Sequence, residues 1–215
     1  TNKSVSEWNK FIRNNIIEGS DKAILTRNDL VMSYNTFVDE FKDTIIVNSE
    51  DYIIHDIKNF TNKDEIFGFN VTFIQVNGGN RTKPLFVVDH SNFNNAMLYY
   101  KLGETYIQNA INAEKYNRSK RWKEYYEFRE RNLLLVNLLD RSTGKIKFSR
   151  DLDYGFALTS HKAQGSTYAD VYIDVNDIVF DMRTGNPWGD IDNTLRRLYT
   201  ACSRCKNRLY LCYGK

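Results

Sequence analysis

The sequence lacks several features that would place it in a special class of protein. No apolar run approaches the ~20 residues that a membrane-spanning helix requires. Residues 1–4 carry neither an apolar signal segment nor an initiating Met. With 41% apolar and 27% charged residues, the composition is typical of a globular chain and excludes collagen-like, disulfide-scaffold and wholly disordered proteins. We expect a piece of a longer protein or a processed chain, with no membrane as partner.

The sequence also lacks a large excess of charge of either sign. The 30 Lys and Arg residues nearly balance the 27 Asp and Glu residues, and the net charge of +3 does not by itself indicate nucleic-acid binding. Basic residues are nevertheless concentrated in one stretch, together with aromatic ones: Lys115, Tyr116, Arg118, Lys120, Arg121, Trp122 and Lys123. A solvated helix face explains such a stretch at least as often as a phosphate-binding surface does.

Cysteine is scarce and confined to the C-terminal end. Cys202, Cys205 and Cys212 are an odd number in a chain without a signal segment, which favours free thiols in a reducing, cytoplasmic compartment. Cys202 and Cys205 have the spacing of zinc ligands, but a structural zinc site takes four ligands and the nearest His, His161, is distant in sequence. We therefore favour packed thiols and predict no metal ligands.

Hydrophobic periodicity predicts an α/β start to the chain. Residues 5–18 have helical spacing and Gly19 follows as the end of that helix. The apolar run 23–25 predicts a buried parallel strand. Asp29 is predicted to cap a second helix, whose buried stripe comprises Leu30, Tyr34, Phe37, Val38 and Phe41.

The pattern then changes to β. Four apolar runs separated by turn residues predict strands at a spacing typical of a small barrel or meander; they cover 44–47, 52–57, 66–76 and 85–88. Residues 92–132 predict two helices, and the turn 142–145 predicts a hairpin. Trp122, Tyr125 and Tyr126 lie in the second helix, where such residues either stack on bases or, more commonly, pack against a neighbouring helix.

The last quarter returns to α/β. It contains two predicted strands, a helix with a predicted buried stripe and a final strand, at 156–159, 171–175, 194–204 and 208–212. The helix stripe comprises Leu195, Leu198, Tyr199 and Cys202. The predicted fold class is therefore α/β, with one parallel-sheet domain formed by 1–43 and 151–215. An inserted region, 44–150, interrupts it and comprises a barrel-like part, a helical pair and a hairpin, at 44–90, 91–132 and 133–150.

Polar residues are concentrated directly after the predicted strand 156–159. The loop reads Thr159-Ser160-His161-Lys162-Ala163-Gln164-Gly165-Ser166-Thr167. Ligands gather beyond the carboxyl ends of strands in open parallel sheets, and Gly165 would let backbone N–H groups approach a phosphate. A hydrophilic loop without a ligand is the alternative, and the loop alone does not decide between them.

A second segment places Arg204 where the predicted helix ends, just before the last strand. From this position a guanidinium can reach a phosphoryl group across a cleft. It can also satisfy the negative end of its own helix, which is the commoner use of such a residue.

Together the two segments resemble motifs V and VI of superfamily 1 helicases. Thr-x-His-Lys-x-Gln-Gly-Ser is followed later in the chain by Leu-Tyr-Thr-Ala-x-Ser-Arg. The spelling is most similar to the RecD/Dda-like branch, which includes the exodeoxyribonuclease V alpha subunit, and the match covers about 152–211. That branch carries a small SH3-like barrel in its second RecA-like domain. The resemblance implies a RecA-like (P-loop NTPase-type) domain with an SH3-like insertion, the C-terminal half of such a helicase.

The resemblance also implies residue roles. In that family ATP and Mg²⁺ bind between two RecA-like domains, and single-stranded DNA crosses both. Arg204 would be the arginine finger, Gly165 and Ser166 would approach the nucleotide, and Arg27 occupies a strand end similar to motif IV, where some relatives place a second nucleotide-contacting Arg. The residues that would hold the DNA backbone are Thr159, Ser160, His161, Lys162 and Gln164.

The phosphate-binding half of such an enzyme is missing from the sequence. The pattern Gly-x-x-x-x-Gly-Lys-(Ser/Thr) does not occur, since Gly144-Lys145 has no upstream glycine, and the acidic pairs at 39–40 and 50–51 lie in a predicted helix and a turn. We therefore expect this chain alone to bind no cofactor and to hydrolyse no ATP. The missing N-terminal RecA-like domain of the parent chain would supply these parts.

The parent enzyme implied by the resemblance is an ATP-driven translocase that moves 5′→3′ on single-stranded DNA in a bacterial or phage-infected cell. Subunits of a nuclease or helicase complex would be further partners. Two other hypotheses stay open: a non-catalytic single-stranded-DNA-binding or complex-assembly module with a helicase-like fold, and a scaffold whose helical pair docks a protein. DNA binding should weaken steeply with salt, whereas protein docking should not.

Overall fold

The computed structural model describes residues 1–39, 41–140, 142–181 and 183–214, and within them the chain forms five helices and eleven strands. The helices are α1 (Asn2–Ile16), α2 (Phe93–Asn112), α3 (Arg118–Glu130), α4 (Val175–Val179) and α5 (Ile191–Cys202). The strands are β1 (Leu30–Ser33), β2 (Phe37–Val38), β3 (Thr44–Ile46), β4 (Asp51–Thr61), β5 (Phe67–Gln75), β6 (Leu85–Val88), β7 (Leu138–Leu139), β8 (Ile146–Phe148), β9 (Leu152–Tyr154), β10 (Tyr168–Asp174) and β11 (Cys205–Cys212). The coarse part of the α/β prediction is confirmed, since the described residues combine helices and strands, but the RecA-like part is not confirmed.

The chain divides into two compact units. The central unit is Arg13–Gly155, and the terminal unit combines Thr1–Ile12 with Phe156–Lys215. The division falls at 12/13, within α1, and at 155/156, whereas the sequence predicts limits at 43/44 and 150/151. The difference arises because β1 and β9 pair with each other and β1 also pairs with β4, which draws both strands into the central unit.

A five-stranded antiparallel sheet forms the framework of the central unit, in the order β6-β5-β4-β1-β9. Its strands alternate as half-buried strands do: Tyr52 and Ile54 of β4 are 2% and 0% exposed, whereas Ile53 between them is 36% exposed. The four strands predicted over 44–88 are confirmed. The predicted small SH3-like barrel is not confirmed, because β6 and β9 do not pair directly with each other. Residues 133 and 134 link the two strands: Leu133 forms a bridge with Val87 of β6, and Leu134 O accepts a hydrogen bond from Leu152 N of β9 at 3.0 Å.

The predicted helix after Asp29 is also wrong. β1 and β2 occupy its place, and β1 lies between two partners, with Val31 opposite both Tyr52 and Tyr154. Val31 and the adjacent Met32 are both fully buried. Such a strand shows no polar–apolar alternation and cannot be distinguished from a buried helix segment by periodicity. Glu40, half of the acidic pair at 39–40, lies outside the described residues.

The predicted helical pair is confirmed as α2 and α3, which pack beside the hairpin of β7 and β8. Asn92 caps α2, because its Oδ1 accepts hydrogen bonds from the N–H groups of Asn94 at 2.9 Å and Asn95 at 3.3 Å. A buried cluster, here called the helix cluster, lies between these elements: Ile66, Val88, Tyr99, Phe128, Leu134 and Phe148. A second buried cluster packs on the sheet around Val31, Ile54 and Phe73.

The terminal unit contains a parallel pair of strands. β10 and β11 run side by side from Tyr168↔Cys205 to Asp174↔Cys212, and α4 and α5 connect them. Asp174 caps α4 by accepting from Asp177 N at 3.1 Å. The predicted strands at 171–175 and 208–212 and the helix at 194–204 are confirmed. The broader parallel sheet expected around them is limited to this pair within the described ranges.

The predicted strands at 23–25 and 156–159 do not form. Leu25 is a buried core residue in an irregular segment. In the second segment, the side chain of Asn9 holds both backbone groups of Ala157, accepting from Ala157 N at 2.7 Å and donating to Ala157 O at 3.1 Å. Because a side-chain amide uses the polar groups that a neighbouring strand would bond, residue 157 has no place in a ladder.

Candidate functional site

The polar loop 159–167 lies at the amino end of β10. It is folded by local hydrogen bonds: Ala163 N donates to Thr159 O at 3.1 Å, and Lys162 N donates to the Thr159 hydroxyl at 3.3 Å. Since the expected strand at 156–159 is absent, the loop is a series of turns between an irregular segment and β10, and the carboxyl-end position predicted for it is wrong.

Gly165 adopts a conformation that favours glycine. Its φ is +88°, and no heavy atom lies within 4 Å of the position where a Cβ would stand. The backbone at Gly165 is therefore open to approach from outside. Ser166 N donates to Ala163 O at 3.2 Å, which keeps the turn closed.

The side chains of the loop differ in exposure. His161 and Gln164 are exposed, whereas Thr159, Ser160 and Lys162 are half-buried. Ala163 is 9% exposed and anchors the turn. Five of the predicted DNA-contacting residues thus lie on one short surface loop, with their polar groups at or near the surface.

Arg204 lies just beyond the end of α5. Its Nε donates to Thr200 O at 3.2 Å, and its Nη2 donates to the Ser203 hydroxyl at 2.9 Å. The guanidinium therefore satisfies the carbonyl end of its own helix, which is one of the two uses that the sequence left open. Among the described residues it forms no ion pair with a carboxylate.

Arg208, four residues further along, has the opposite surroundings. Its Nε donates to Asp170 Oδ1 at 3.1 Å, so a carboxylate on β10 neutralises its charge. The hydrogen bond from Arg208 holds the pKa of Asp170 below its usual range. Of these two arginines, only Arg204 offers a guanidinium without a carboxylate partner in the part of the chain that the structure describes.

The loop and the end of α5 meet at the amino ends of the parallel strands. Tyr168 N donates to Arg204 O at 2.8 Å, and Tyr168 pairs with Cys205 in the ladder. An open depression of about 470 Å³ joins Gln164 of the loop to α5, where Thr200, the acceptor of the Arg204 Nε–H, is one of the lining residues. Two segments that are distant in sequence therefore share one surface.

Two residues of this surface were not predicted from the sequence to be functional. Arg196 and Tyr199 line the depression with Gln164, and the predicted buried stripe on α5 is wrong, because Leu195 is 58% and Tyr199 74% exposed. Thr194 is the buried residue instead. The pair Arg196-Arg197, directly before the Leu-Tyr-Thr motif, is the signal that could have indicated a basic helix face.

Arg27, the other residue predicted to contact a nucleotide, belongs to a different compact unit from the loop, and its predicted role stays a prediction. It belongs to the central unit, where Nη2 donates to Asp56 Oδ1 of β4 at 2.7 Å, and its side chain is largely exposed. The hydrogen bond from Arg27 lowers the pKa of Asp56. Its contacts within the central unit are those of an exposed ion pair.

Metal binding has no geometric support within the described residues. No three His, Cys, Asp or Glu side chains there are grouped so that they could hold a metal ion. Cys202, Cys205 and Cys212 are free thiols. No described helix combines the length and the apolar character needed to cross a bilayer.

Comparisons with known proteins add little about function. No protein-family model matches the chain. A stretch of 59 residues is 37% identical to an uncharacterized protein of Acanthamoeba polyphaga mimivirus. The match covers 27% of this chain and 10% of that protein, and the description of the viral protein mentions no activity.

Proposed function

We propose that this chain supplies the arginine finger and single-stranded-DNA contacts of an ATP-dependent DNA helicase, a 5′→3′ translocase of the RecD/Dda-like branch of superfamily 1. The observation that carries the proposal is the hydrogen bond from Tyr168 N to Arg204 O at 2.8 Å. It brings the two helicase-like motifs, which are far apart in sequence, to the same end of one strand pair. The proposed roles require this convergence, because the loop and Arg204 are assigned to one nucleotide site.

The terminal unit is proposed to be part of the second RecA-like domain. Its parallel strands joined through helices support this, because RecA-like domains are built from such units. Apolar side chains on both strands also support it: Tyr172 is 68% and Leu211 51% exposed. Strands of parallel sheets are normally covered on both faces, so further structure is expected to cover them in the parent protein.

The residues at the loop fit a phosphate-bearing ligand. The backbone at Gly165 is open, Ser166 carries a hydroxyl, and Arg204 has no carboxylate partner among the described residues. When bound, ATP with Mg²⁺ supplies the phosphoanhydride whose hydrolysis drives movement. The residues proposed to bind the phosphates on this side are Gly165, Ser166 and Arg204, with the first RecA-like domain of the parent providing the phosphate-binding loop.

Arg204 is proposed to stabilise developing negative charge. Its Nε–H is held by Thr200 O, which orients the guanidinium while the Nη atoms donate to the ligand. Ser203 gives up its contact with Nη2 in this step. Such a residue contributes ~10³–10⁵ in rate in phosphoryl transfer.

The loop residues are proposed to hold the DNA backbone. Lys162 provides charge, and Thr159 and Ser160 provide hydroxyl donors, as phosphate contacts require. Gln164 is the link between the two functions, because it lies in the depression with α5. A shift of α5 on nucleotide binding would therefore change the position of Gln164 and of the loop.

The test compares Arg204→Ala with Arg208→Ala in the full-length protein. Both changes remove one guanidinium near the start of β11, but Arg208 is already paired with Asp170. We expect R204A to lower DNA-stimulated ATP hydrolysis ~10³-fold or more and R208A to lower it less than about 10-fold. Equal loss in both variants would overturn the arginine-finger assignment. ATP hydrolysis by residues 1–215 alone that R204A abolishes would overturn the division of labour between the two domains.

A non-catalytic single-stranded-DNA-binding or assembly module is the second candidate. The observation that favours it is that Arg204 satisfies its own helix end. In that case R204A would cost ~0.3–1 kcal/mol of stability through the helix dipole, and the full-length protein would show no ATP hydrolysis. DNA binding by Lys162 would persist.

A further inference from the structure

Of the four aromatic residues of α3, Trp122, Tyr125 and Tyr126 contact one another but differ in what else they pack against. Tyr125 packs against the helix cluster, whereas Trp122 and Tyr126 are not among the side chains that do so, within the described residues. Tyr126 is 57% exposed and Trp122 is half-buried. Of these three aromatic residues, only Tyr125 therefore packs against the core as expected.

Arg118, Trp122 and Tyr126 follow one another at four-residue intervals and so lie along one side of α3. The rings of Trp122 and Tyr126 are tilted by 31°, with centroids 6.2 Å apart. Arg118 is exposed and forms no ion pair within the described ranges, and the same holds for Lys115 in the preceding turn. These residues, Lys115, Arg118, Trp122 and Tyr126, are here called the α3 face.

The cations of the α3 face are poorly placed to stabilise the helix. The first turn of α3 contains no acidic residue, and Asn117 at the N-cap makes no side-chain capping bond. Positive charges at this end oppose the helix dipole. Arg121 and Lys123, by contrast, pair with Glu124 and Glu127 on the same helix. Lys115 and Arg118 therefore do not stabilise α3, and both are exposed to solvent.

We propose that the α3 face binds single-stranded DNA, with unpaired bases stacking on Trp122 and Tyr126 and phosphates contacting Lys115 and Arg118. Aromatic side chains beside free cations are the combination that single strands recognise without sequence preference. The inference rests on the proposed function for the identity of the polymer, and it adds a contact in the central unit that the helicase-like motifs do not supply.

The experiment titrates residues 1–215 with an oligo(dT) strand and follows tryptophan fluorescence. Trp8 and Trp188 are the other tryptophans, so Trp122→Phe identifies the signal of Trp122. We expect the oligonucleotide to quench the tryptophan fluorescence of the natural chain. This quenching should be lost in W122F and retained in Trp8→Phe. Trp122→Leu should weaken binding ~5-fold or more, as the loss of one stacked base does. A duplex of the same length should give no quenching, because its bases are already stacked.

Arg118→Ala and Lys120→Ala form the matched pair for charge. Both residues are exposed cations on the first turn of α3 without an ion pair among the described residues, but Lys120 lies about 160° around the helix from Trp122, at about 100° per residue. We expect R118A to weaken binding and to reduce the slope of log K against log salt by about 0.7. K120A should leave the slope unchanged. Equal effects of both variants would overturn the α3 face in favour of general electrostatic attraction.

The outcomes separate this inference from the proposed function. If Lys162→Ala weakens binding while Trp122 is never quenched at low salt, the α3 face is overturned and the helicase-like loop stands. If W122L and R118A weaken binding while K162A does not, the α3 face stands and the loop assignment fails. Salt-insensitive association of the α3 face with a protein, without DNA binding, would overturn the choice of ligand.

Discussion

Replacing Arg13 by Met is expected to destabilise the central unit by about 3–5 kcal/mol, as the loss of one partner of a buried ion pair does. Arg13 Nε donates to Asp29 Oδ1 at 2.6 Å, and Nη2 donates to Asp29 Oδ2 at 2.9 Å. The side chains are only 6% and 0% exposed. Arg13 also donates to Ser20 O at 2.8 Å and Ala23 O at 2.9 Å, so the change leaves a carboxylate and two carbonyls without this donor.

The large cost expected for R13M follows from the burial of the Arg13–Asp29 ion pair. An exposed ion pair in the same unit provides the control. Arg27 pairs with Asp56 at a similar distance, 2.7 Å, but the Arg27 side chain is 68% exposed. We expect Arg27→Met to cost under about 1 kcal/mol, because water solvates both charges when the pair is broken. The contrast between R13M and R27M tests burial with the residue type held constant.

A double variant tests whether the cost comes from the uncompensated charge. Asp29→Leu alone leaves the guanidinium buried without its carboxylate, but in R13M/D29L neither charge is left unpaired. The double variant is therefore expected to cost much less than the sum of the two single changes. Asp29 also accepts from Thr26 N at 2.7 Å, and the double variant still loses that bond.

Urea denaturation followed by far-UV circular dichroism measures these differences as changes in the free energy of unfolding. The reasoning is refuted if R13M and R27M have equal costs, or if the two single changes and the double variant are additive. Additivity would mean that the two side chains stabilise the fold independently.

Three further changes have defined outcomes in the same assay. Burial, with the neighbouring Glu50, raises the pKa of Asp51 to about 6, so the ionised form opposes folding at higher pH. Asp51→Asn should therefore raise the free energy of unfolding by about 1–2 kcal/mol at pH 8, and this gain should vanish by about pH 4. A gain that does not depend on pH would contradict this. Gly103→Ala would place a Cβ 2.6 Å from the buried ring of Phe148 and should destabilise by about 1–2 kcal/mol; a stabilisation would show that the ring moves freely. Asn92→Ala should cost about 1 kcal/mol through the lost cap of α2, and no change in the unfolding midpoint would show that the cap is dispensable.

The sequence by itself determined the elements whose pattern is local. The strands from 44 to 88 alternate and are separated by turn residues, and α2 has both helical spacing and Asn92 as a cap, so each was predictable from its own residues. The residue types of the loop 159–167 and of Arg204 are visible in the sequence whatever the fold, but the roles assigned to them stay predictions. The resemblance to helicase motifs rests on those residues.

Only the tertiary structure decided which segments lie beside one another. β1 is a strand because β4 and β9 lie on its two sides, and Asp29 binds Arg13 instead of capping a helix. Residue 157 is held out of any ladder by Asn9, and β6 and β9 are linked through residues 133 and 134 instead of pairing with each other. Periodicity reports how a segment divides its residues between solvent and core. It contains no information on partners that are distant in the chain, and those partners set the conformation of β1, the placement of Arg27 and the exposure of Trp122 and Tyr126.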